Sequence, residues 1–187
     1  MSHLTEQAIQ ATFIRLLNER PLDKITVRDL AEECGISRNT FYYHYHDIYE
    51  LLERMFEGEK ERMLQDMQDI STIRQSLTAA MHFALENRMA ILHIYNSVNR
   101  DMLERYLYQS SAIYMRRFVE SQREANSISE RDVDDLVFLL SSMIEGAIIN
   151  ILRDGLTSDI EALIENTTRL LDGIVRLALE NSKKLGN

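Results

Sequence analysis

The chain has 187 residues, a net charge of −9, a single cysteine and no tryptophan. Its length suits one or two compact units, because a domain of this size buries roughly 70% of its unfolded surface. The lone Cys34 excludes an intramolecular disulfide framework. No charged-then-apolar leader is recognised in residues 1–17, and no apolar run comes near the span of about 18 residues that a membrane helix requires. We therefore expect a soluble, cytoplasmic protein.

The first predicted element is an amphipathic helix over residues 4–18. Pro21, the only proline, lies in the connection that follows it. Thr26 is placed to cap the next helix, and Asp29 stands three residues later, where a capping box needs an acceptor. Alternating strand patterns and glycine-rich hairpin signals are not found, so the sequence predicts an all-α fold.

A helix-turn-helix is predicted between residues 26 and 45. Ala31 supplies a small residue where two helices cross, Gly35 can take a positive φ in the turn, and Phe41 points back into the crossing. Ser37 is placed to cap the second helix, so one short segment ends the first helix and begins the next.

The second helix of this motif carries an unusual set of side chains. If Phe41 and Tyr45 face inward, the outward side chains offer guanidinium, amide, hydroxyl, phenol and imidazole groups but no carboxylate. Such groups donate to phosphate oxygens or read base edges in a major groove. An ordinary core role is the alternative for these aromatics, but so short a helix cannot bury every face. The predicted DNA-contacting residues are Arg28, Ser37, Arg38, Asn39, Thr40, Tyr42, Tyr43 and His44.

The charge balance opposes simple electrostatic binding to DNA. Residues 1–50 contain eight acids and five bases, a net charge of −3. Counterion release should therefore contribute modestly, which leaves phosphate binding to Arg28, Arg38, the tyrosine hydroxyls, the histidines and amides at helix N-termini.

The segment that carries these features resembles the DNA-binding domain of the tetracycline-repressor (TetR-type) family of bacterial regulators. The resemblance covers roughly residues 4–52, whereas the remainder is similar only in length and helical character. The residues that carry it are 25–31, 34–37, 40–45, Asp47 and Leu51. It implies a homodimer with a DNA-binding domain at residues 1–48, and a larger helical domain at residues 49–187 that dimerises and often binds an inducer.

Two details of the resemblance bear on mechanism. A lysine that contacts phosphate is common near the start of the third helix, and this chain has Ile48 there. The run of residues 41–52 also looks like a subgroup similar to the dihydroxyacetone-kinase regulators, some of which act as activators together with a partner protein.

Beyond the motif, residues 47–69 are predicted to form a long connecting helix, in which Gly58 permits a bend. Later apolar positions are rich in methionine and tyrosine, which suits a pocket for a small, largely apolar ligand; a flexible helical core is the alternative. The predicted lining residues are Met81, Met89, Tyr95, Met102, Tyr106, Tyr114 and Phe118. His82 and His93 lack the further ligands of a metal site, so no metal is expected.

The last part of the chain is predicted to form two regular helices after a polar loop at residues 121–131. Ser129 and Asp132 should cap the first of them, Gly155 should end it, and Ser158 with Glu161 should form the capping box of the second. Their wide apolar stripes predict a four-helix interface between two copies of the chain.

No catalytic constellation, phosphate-binding glycine loop or cofactor motif is recognised, so we expect neither an enzyme nor a bound cofactor. The sequence predicts a dimeric transcription repressor that a small ligand releases from a palindromic operator. The alternative is a helical adaptor or activator controlled by a protein partner. A ligand-sized cavity in the C-terminal domain would favour the repressor, and a solid core with an exposed apolar patch would favour the adaptor.

Overall fold

The structure is a computed structural model that describes residues 2–66, 82–122, 129–156 and 159–185. Within these ranges all regular structure is helical, which confirms the predicted all-α class. The helices with assigned ends are α1 (Ser2–Glu19), a 3-10 turn (Leu22–Lys24), α2 (Val27–Cys34), α3 (Arg38–His44), α4 (Ile48–Asp66), α5 (Arg88–Tyr95), α6 (Arg100–Gln122), α7 (Glu130–Arg153) and α8 (Ile160–Leu185). Residues 82–86 are also helical.

The described residues divide into two compact units. The first combines the chain up to residue 66 with residues 83–103, and the second contains residue 82 and the described residues from 104 onward. The division does not follow the boundary expected after residue 48, because α5 packs against α1. A functional boundary between residues 48 and 49 stays a prediction.

The first unit is built around α1. Ile9, Phe13 and Leu16 recur on one face at helical spacing and are at most 1% exposed. Phe41 of α3 and Leu51 of α4 are completely buried in the same unit. Each such side chain contributes about 1.5–3 kcal/mol of burial free energy, so α1 is the main support of the helix-turn-helix.

The second unit has its own apolar core between α6, α7 and α8. The core side chains are Met115, Val119, Val133, Val137, Leu140, Ile144, Leu171, Val175 and Leu179. The opposite faces of α7 and α8 remain exposed, with the large apolar side chains Phe138, Leu139, Met143, Leu170, Ile174 and Leu177. These two helices therefore carry more apolar surface than the protomer buries.

The ends of α7 and α8 test the predicted caps. Ser129 accepts a hydrogen bond from the backbone amide of Asp132 at 3.1 Å, which confirms the cap of α7. Gly155 follows α7 with a φ of 70°, as expected of a helix end. The cap of α8 lies one residue after the predicted Ser158. The helix begins at Ile160, and the carboxylate of Asp159 accepts from the amide of Ala162 at 3.1 Å. Ser158 lies outside the described residues.

The polar loop and the hydropathy of α7 both differ from what the sequence predicted. Within the predicted loop, residues 121–122 and 130–131 are helical, and residues 123–128 lie outside the described part of the chain. The expectation that no apolar run approaches membrane length is wrong for α7, which has a window with mean hydropathy 1.7. By length and composition alone this helix is long and apolar enough to cross a membrane. Core helices of soluble proteins meet the same criterion, and α7 supplies four residues of the core.

Candidate nucleic-acid interface

The first helix of the motif begins at the predicted capping box. The amide of Asp29 donates to the hydroxyl oxygen of Thr26 at 3.2 Å, and the amide of Thr26 donates to the Asp29 carboxylate at 2.9 Å. The Thr26 hydroxyl also donates to this carboxylate, at 2.7 Å. These hydrogen bonds hold the pKa of Asp29 below its ordinary value, with a further contribution from Arg20. The start of α2 is thus fixed by local bonds.

The turn has the predicted left-handed glycine. Gly35 has a φ of 67° and a ψ of 29°, a conformation that costs side-chain-bearing residues about 1–2 kcal/mol. The amide of Ile36 donates back to the carbonyl of Ala31 at 2.9 Å and closes the end of α2. Ser37 then accepts from the amide of Thr40 at 3.0 Å, so three residues join the two helices.

The inner face of α3 buries one more side chain than the sequence predicted. Phe41, Tyr45 and His44 are 0%, 2% and 9% exposed, so the prediction that the His44 side chain faces outward is wrong. Position 44 is three residues beyond Phe41, and in a helix this spacing places it on the same face. That spacing is the signal in the sequence that could have identified His44 as buried.

Two side chains of α1 hold this inner face. Nδ1 of His44 lies 3.3 Å from a carboxylate oxygen of Glu6, and because a carboxylate only accepts, this nitrogen donates. Gln10 donates to the hydroxyl of Tyr45, also at 3.3 Å. Burial raises the pKa of Tyr45, and the guanidinium of Arg54 lies over its ring at 5.5 Å. Sequence reasoning missed Glu6 and Gln10 because their partners lie 38 and 35 residues away.

The outer face of α3 retains the other predicted contacts. Tyr42 is 55% exposed and Tyr43 is 80% exposed. Thr40 is half-buried. The remaining predicted residues are exposed: Arg28, Ser37, Arg38 and Asn39. The structure therefore brings together on one surface every predicted residue of α3 and its cap, except His44.

Ion pairs reduce the positive charge near this surface. Arg28 lies 3.9 Å from Glu32 within α2, and Arg15 of α1 contacts Glu33 at 2.7 Å and Glu19 at 2.9 Å. Hydrogen bonds to Glu33 and then to Glu19 raise the pKa of Arg15. These ion pairs lower the positive charge that Arg15 and Arg28 contribute to the first unit.

Comparison with known proteins decides the family. The family model described as bacterial regulatory proteins, tetR family, matches residues 10–55. A second model of this group, described as the transcriptional regulator C-terminal region, matches residues 71–173, more than half of the chain. The chain belongs to the tetR family. Both family models describe transcription regulators rather than enzymes.

Several relatives of this tetR-family regulator illustrate where the similarity lies. The regulator EthR of Mycobacterium tuberculosis is 55% identical over 40 residues, which cover 21% of this chain and 18% of EthR. The dhaKLM operon transcriptional activator DhaS of Lactococcus lactis is 26% identical over 88 residues, 47% of each chain. The regulator YxbF of Bacillus subtilis is 25% identical over 97 residues, 47% of this chain and 26% of YxbF. In each of these sequence alignments the chain covers less than half the length of the relative.

A solved structure shares the complete fold. The dihydroxyacetone kinase operon activator DhaS superimposes with a TM-score of 0.78 over 92% of this chain and 97% of its own. Sequence identity over that alignment is 18%, so the likeness establishes the tetR-family fold alone.

The structure describes six of the seven predicted ligand-lining residues of this tetR-family regulator, and the ligand site stays a prediction. Met89 is 45% exposed, and Tyr95 is buried in the first unit with the Arg100 guanidinium over its ring. Tyr114 and Phe118 pack against the apolar core of the second unit. Met102 and Tyr106 are half-buried on α6, and Met81 lies outside the described residues.

A groove in the second unit was not predicted. It has a volume of about 450 Å³ and is lined by Ala147, Asn150, Ile151, Asp154, Asp159, Ala162 and Asn166 of α7, α8 and their connection. Within the described ranges, no three histidine, cysteine or acidic side chains come together in a group that could hold a metal ion.

Proposed function

We propose that this tetR-family regulator is a dimeric repressor that binds a roughly palindromic operator through α3 and is released by a small-molecule ligand in the cytoplasm. The observation that carries the DNA-reading part is the two-sided character of α3. Its inner face is buried and bonded to α1, while its outer face presents Arg38, Asn39, Tyr42 and Tyr43 and no carboxylate. A helix held in this way suits insertion into a major groove.

The side chains of α3 have different roles in this proposal. Amide and hydroxyl groups such as those of Asn39 and Thr40 read base edges, whereas the phenol of Tyr42 and the guanidinium of Arg38 bind phosphates. Selection from random duplex DNA would define the operator. Asn39→Ala should then relax discrimination between matched and mismatched sites, and Tyr42→Phe should weaken binding to all duplexes alike. Equal losses at matched and mismatched sites for both variants would refute the assignment.

The exposed apolar faces of α7 and α8 support the proposed dimer. Phe138, Met143, Leu170 and Leu177 are each more than half exposed, although they are large apolar side chains. Two such helix pairs around a twofold axis form a four-helix interface, and a dimer supplies two copies of α3 for an operator whose half-sites lie about 34 Å apart.

Sedimentation velocity at micromolar concentration tests the dimer. The wild-type chain should sediment as a dimer, and Met143→Glu should yield folded monomers that bind the operator weakly. Val98→Glu is the matched control, because Val98 is 82% exposed but belongs to the first unit. A wild-type chain that sediments as a monomer would exclude the dimer and the palindromic operator with it.

Release by a ligand is tested through reciprocity. If about 3 kcal/mol couples the two sites, ligand weakens operator binding roughly 150-fold, and operator must weaken ligand binding by the same factor. A ligand that binds free and operator-bound protein equally well is not the inducer.

An activator is the second candidate function. It is favoured by the similarity to DhaS, which is described as an operon activator. Transcription in vitro from a promoter next to the selected operator separates the two functions, because a repressor lowers the transcript level and an activator raises it.

A further inference from the structure

The C-terminal end of α1 meets the N-terminal end of α5 inside the first unit. The side-chain oxygen of Asn18 accepts a hydrogen bond from the backbone amide of Ala90 at 3.1 Å. Ala90 is the third residue of α5, and the first four amides of a helix have no partner within the helix. Asn87, which precedes α5, forms no side-chain cap; its oxygen instead accepts from the Asn18 amide at 3.3 Å. Asn18 therefore serves as the N-cap of a helix that begins 70 residues later.

His93 of α5 provides the converse interaction. Its Nδ1 lies 2.6 Å from the carbonyl oxygen of Leu17, and because a carbonyl only accepts, this nitrogen carries the hydrogen. In a continuing helix the Leu17 carbonyl would accept from the amide of residue 21, but residue 21 is proline and has no amide hydrogen. Each helix thus satisfies a backbone group that the other cannot satisfy alone. We call the Asn18–Ala90 and His93–Leu17 bonds the reciprocal cap.

The other end of α1 holds the recognition helix. Glu6 and Gln10 bond to His44 and Tyr45 on the inner face of α3. Glu6 and Asn18 are twelve residues apart, which corresponds to about 18 Å along a helix. A single rigid helix therefore joins the reciprocal cap to the support of α3.

We propose that Asn18 and His93 are positioning residues for DNA reading: the reciprocal cap holds α1 on α5, and α1 in turn holds the inner face of α3. This inference rests on α3 being the DNA-reading helix. The short connection of residues 96–99 joins α5 to α6, which continues into the second unit, so the chain itself leads from the second unit to α5. A change in the position of α5 then moves α1, and α1 in turn shifts α3.

Operator binding by substituted proteins tests this role. Fluorescence anisotropy with the selected operator gives Kd, and a stoichiometric titration gives the active fraction. Asn18→Ala and His93→Phe should each weaken operator binding roughly fivefold, the size expected from one lost hydrogen bond, at full active fraction. Affinity for an unrelated duplex should stay unchanged, because unspecific phosphate contacts do not require exact placement of α3. Asn96→Ala is the matched control, since Asn96 is exposed and its side-chain amide donates to the Leu92 carbonyl of α5 itself.

A conservative variant and a double-mutant cycle separate positioning from plain stabilisation. Asn18→Asp keeps an acceptor for the Ala90 amide and should retain most of the affinity. Asn18→Ala and Glu6→Gln should be non-additive in operator binding, although sites this far apart are normally additive. Additive effects would overturn the proposal, as would a lower active fraction at unchanged Kd. If the wild-type chain binds no selected operator, the proposed function fails; if it binds and the variants match it, only this inference fails.

Discussion

Between Thr26 and Glu50 each helix starts at a side-chain cap, at Thr26, Ser37 and Asp47, and α2 and α3 are only eight and seven residues long. In contrast, α7 and α8 have 24 and 26 residues and pack through long apolar faces. Since each helix leaves four amides and four carbonyls unpaired at its ends, a short helix depends on its ends and a long helix on its faces. This difference explains why the helix-turn-helix has a fixed outer surface, whereas α7 and α8 retain apolar surface that the protomer does not bury.

The largest expected difference between the two regions concerns the same substitution at two phenylalanines. Phe41→Ala removes a fully buried ring and should lower the free energy of unfolding by about 3–5 kcal/mol. Phe138→Ala removes a ring that is 58% exposed and should change the stability of the monomer by about 0.5 kcal/mol or less. Urea unfolding in the monomeric concentration range measures both. If both variants lost a comparable free energy of unfolding, the exposed face of α7 would also stabilise the monomer.

Two glycines should respond with opposite signs. Gly35→Ala should destabilise the protein by about 1–2 kcal/mol, because a left-handed φ strains a residue with a Cβ although no atom lies within 4 Å of it. Gly146→Ala should stabilise the monomer by up to about 1 kcal/mol, because alanine favours the helix and its Cβ meets open space. Thermal unfolding followed by circular dichroism reports both shifts. A stabilising Gly35→Ala would contradict the strain assigned to the turn.

The caps should differ in function more than in stability. Thr26→Ala and Ser129→Ala each remove a side-chain acceptor at a helix start and should cost about 1 kcal/mol. Because α2 supports the turn before α3, Thr26→Ala should also weaken operator binding, while Ser129→Ala should leave the affinity of folded protein unchanged. Thr26→Ser is the control that keeps the hydroxyl. Equal operator affinities for the two alanine variants would show that the Thr26 cap has no greater role in DNA binding than the Ser129 cap.

The smallest expected effects are on the pH dependence of stability. The pKa of Asp29 is lowered in the folded state by the Thr26 bonds, so its stabilisation is present above the unfolded pKa of about 3.9 and is lost as the pH falls through the folded pKa. Glu145 has the opposite sign: burial and then the nearby Glu104 raise its pKa, so stability is lost as the pH rises through that raised pKa.

Urea unfolding followed from acid to neutral pH distinguishes the two carboxylates, because the pKa of Asp29 is lowered and that of Glu145 is raised, so the two transitions lie on opposite sides of the ordinary carboxyl range. Asp29→Asn should lower stability at neutral pH and flatten the acid side of the profile. Glu145→Gln should raise stability at neutral pH. Parallel profiles for both variants would show that neither local environment governs the titration.

Short-range features of this fold were predictable from the sequence, and long-range ones were not. The bonds of Thr26 with Asp29 and of Ser37 with Thr40 span three residues, so the sequence alone specifies them. The spacing of His44 from Phe41 signals its burial, but its partner Glu6 lies 38 residues away, and the reciprocal cap joins residues more than 70 positions apart. No periodicity within one helix signals such pairs.

The predicted ligand site shows the same limit. Methionine and tyrosine composition indicates adaptable packing, but it does not specify which side chains share a space. Tyr114 and Phe118 serve the core of the second unit, and Met89 is exposed. Only the packing partners of each helix decide between a pocket wall and a core.

The helix α3 has a buried inner face that α1 supports and an exposed outer face, which is its open face. This division has an evolutionary consequence. Substitutions at exposed positions such as Asn39 and Tyr43 alter stability by about 0.5 kcal/mol or less, because these side chains are outside the core. Descendants of this gene can therefore acquire new operator sequences by mutating the open face, without compensating changes elsewhere. Lineages should diverge fastest at those positions and keep Phe41, His44 and their partners on α1 nearly constant.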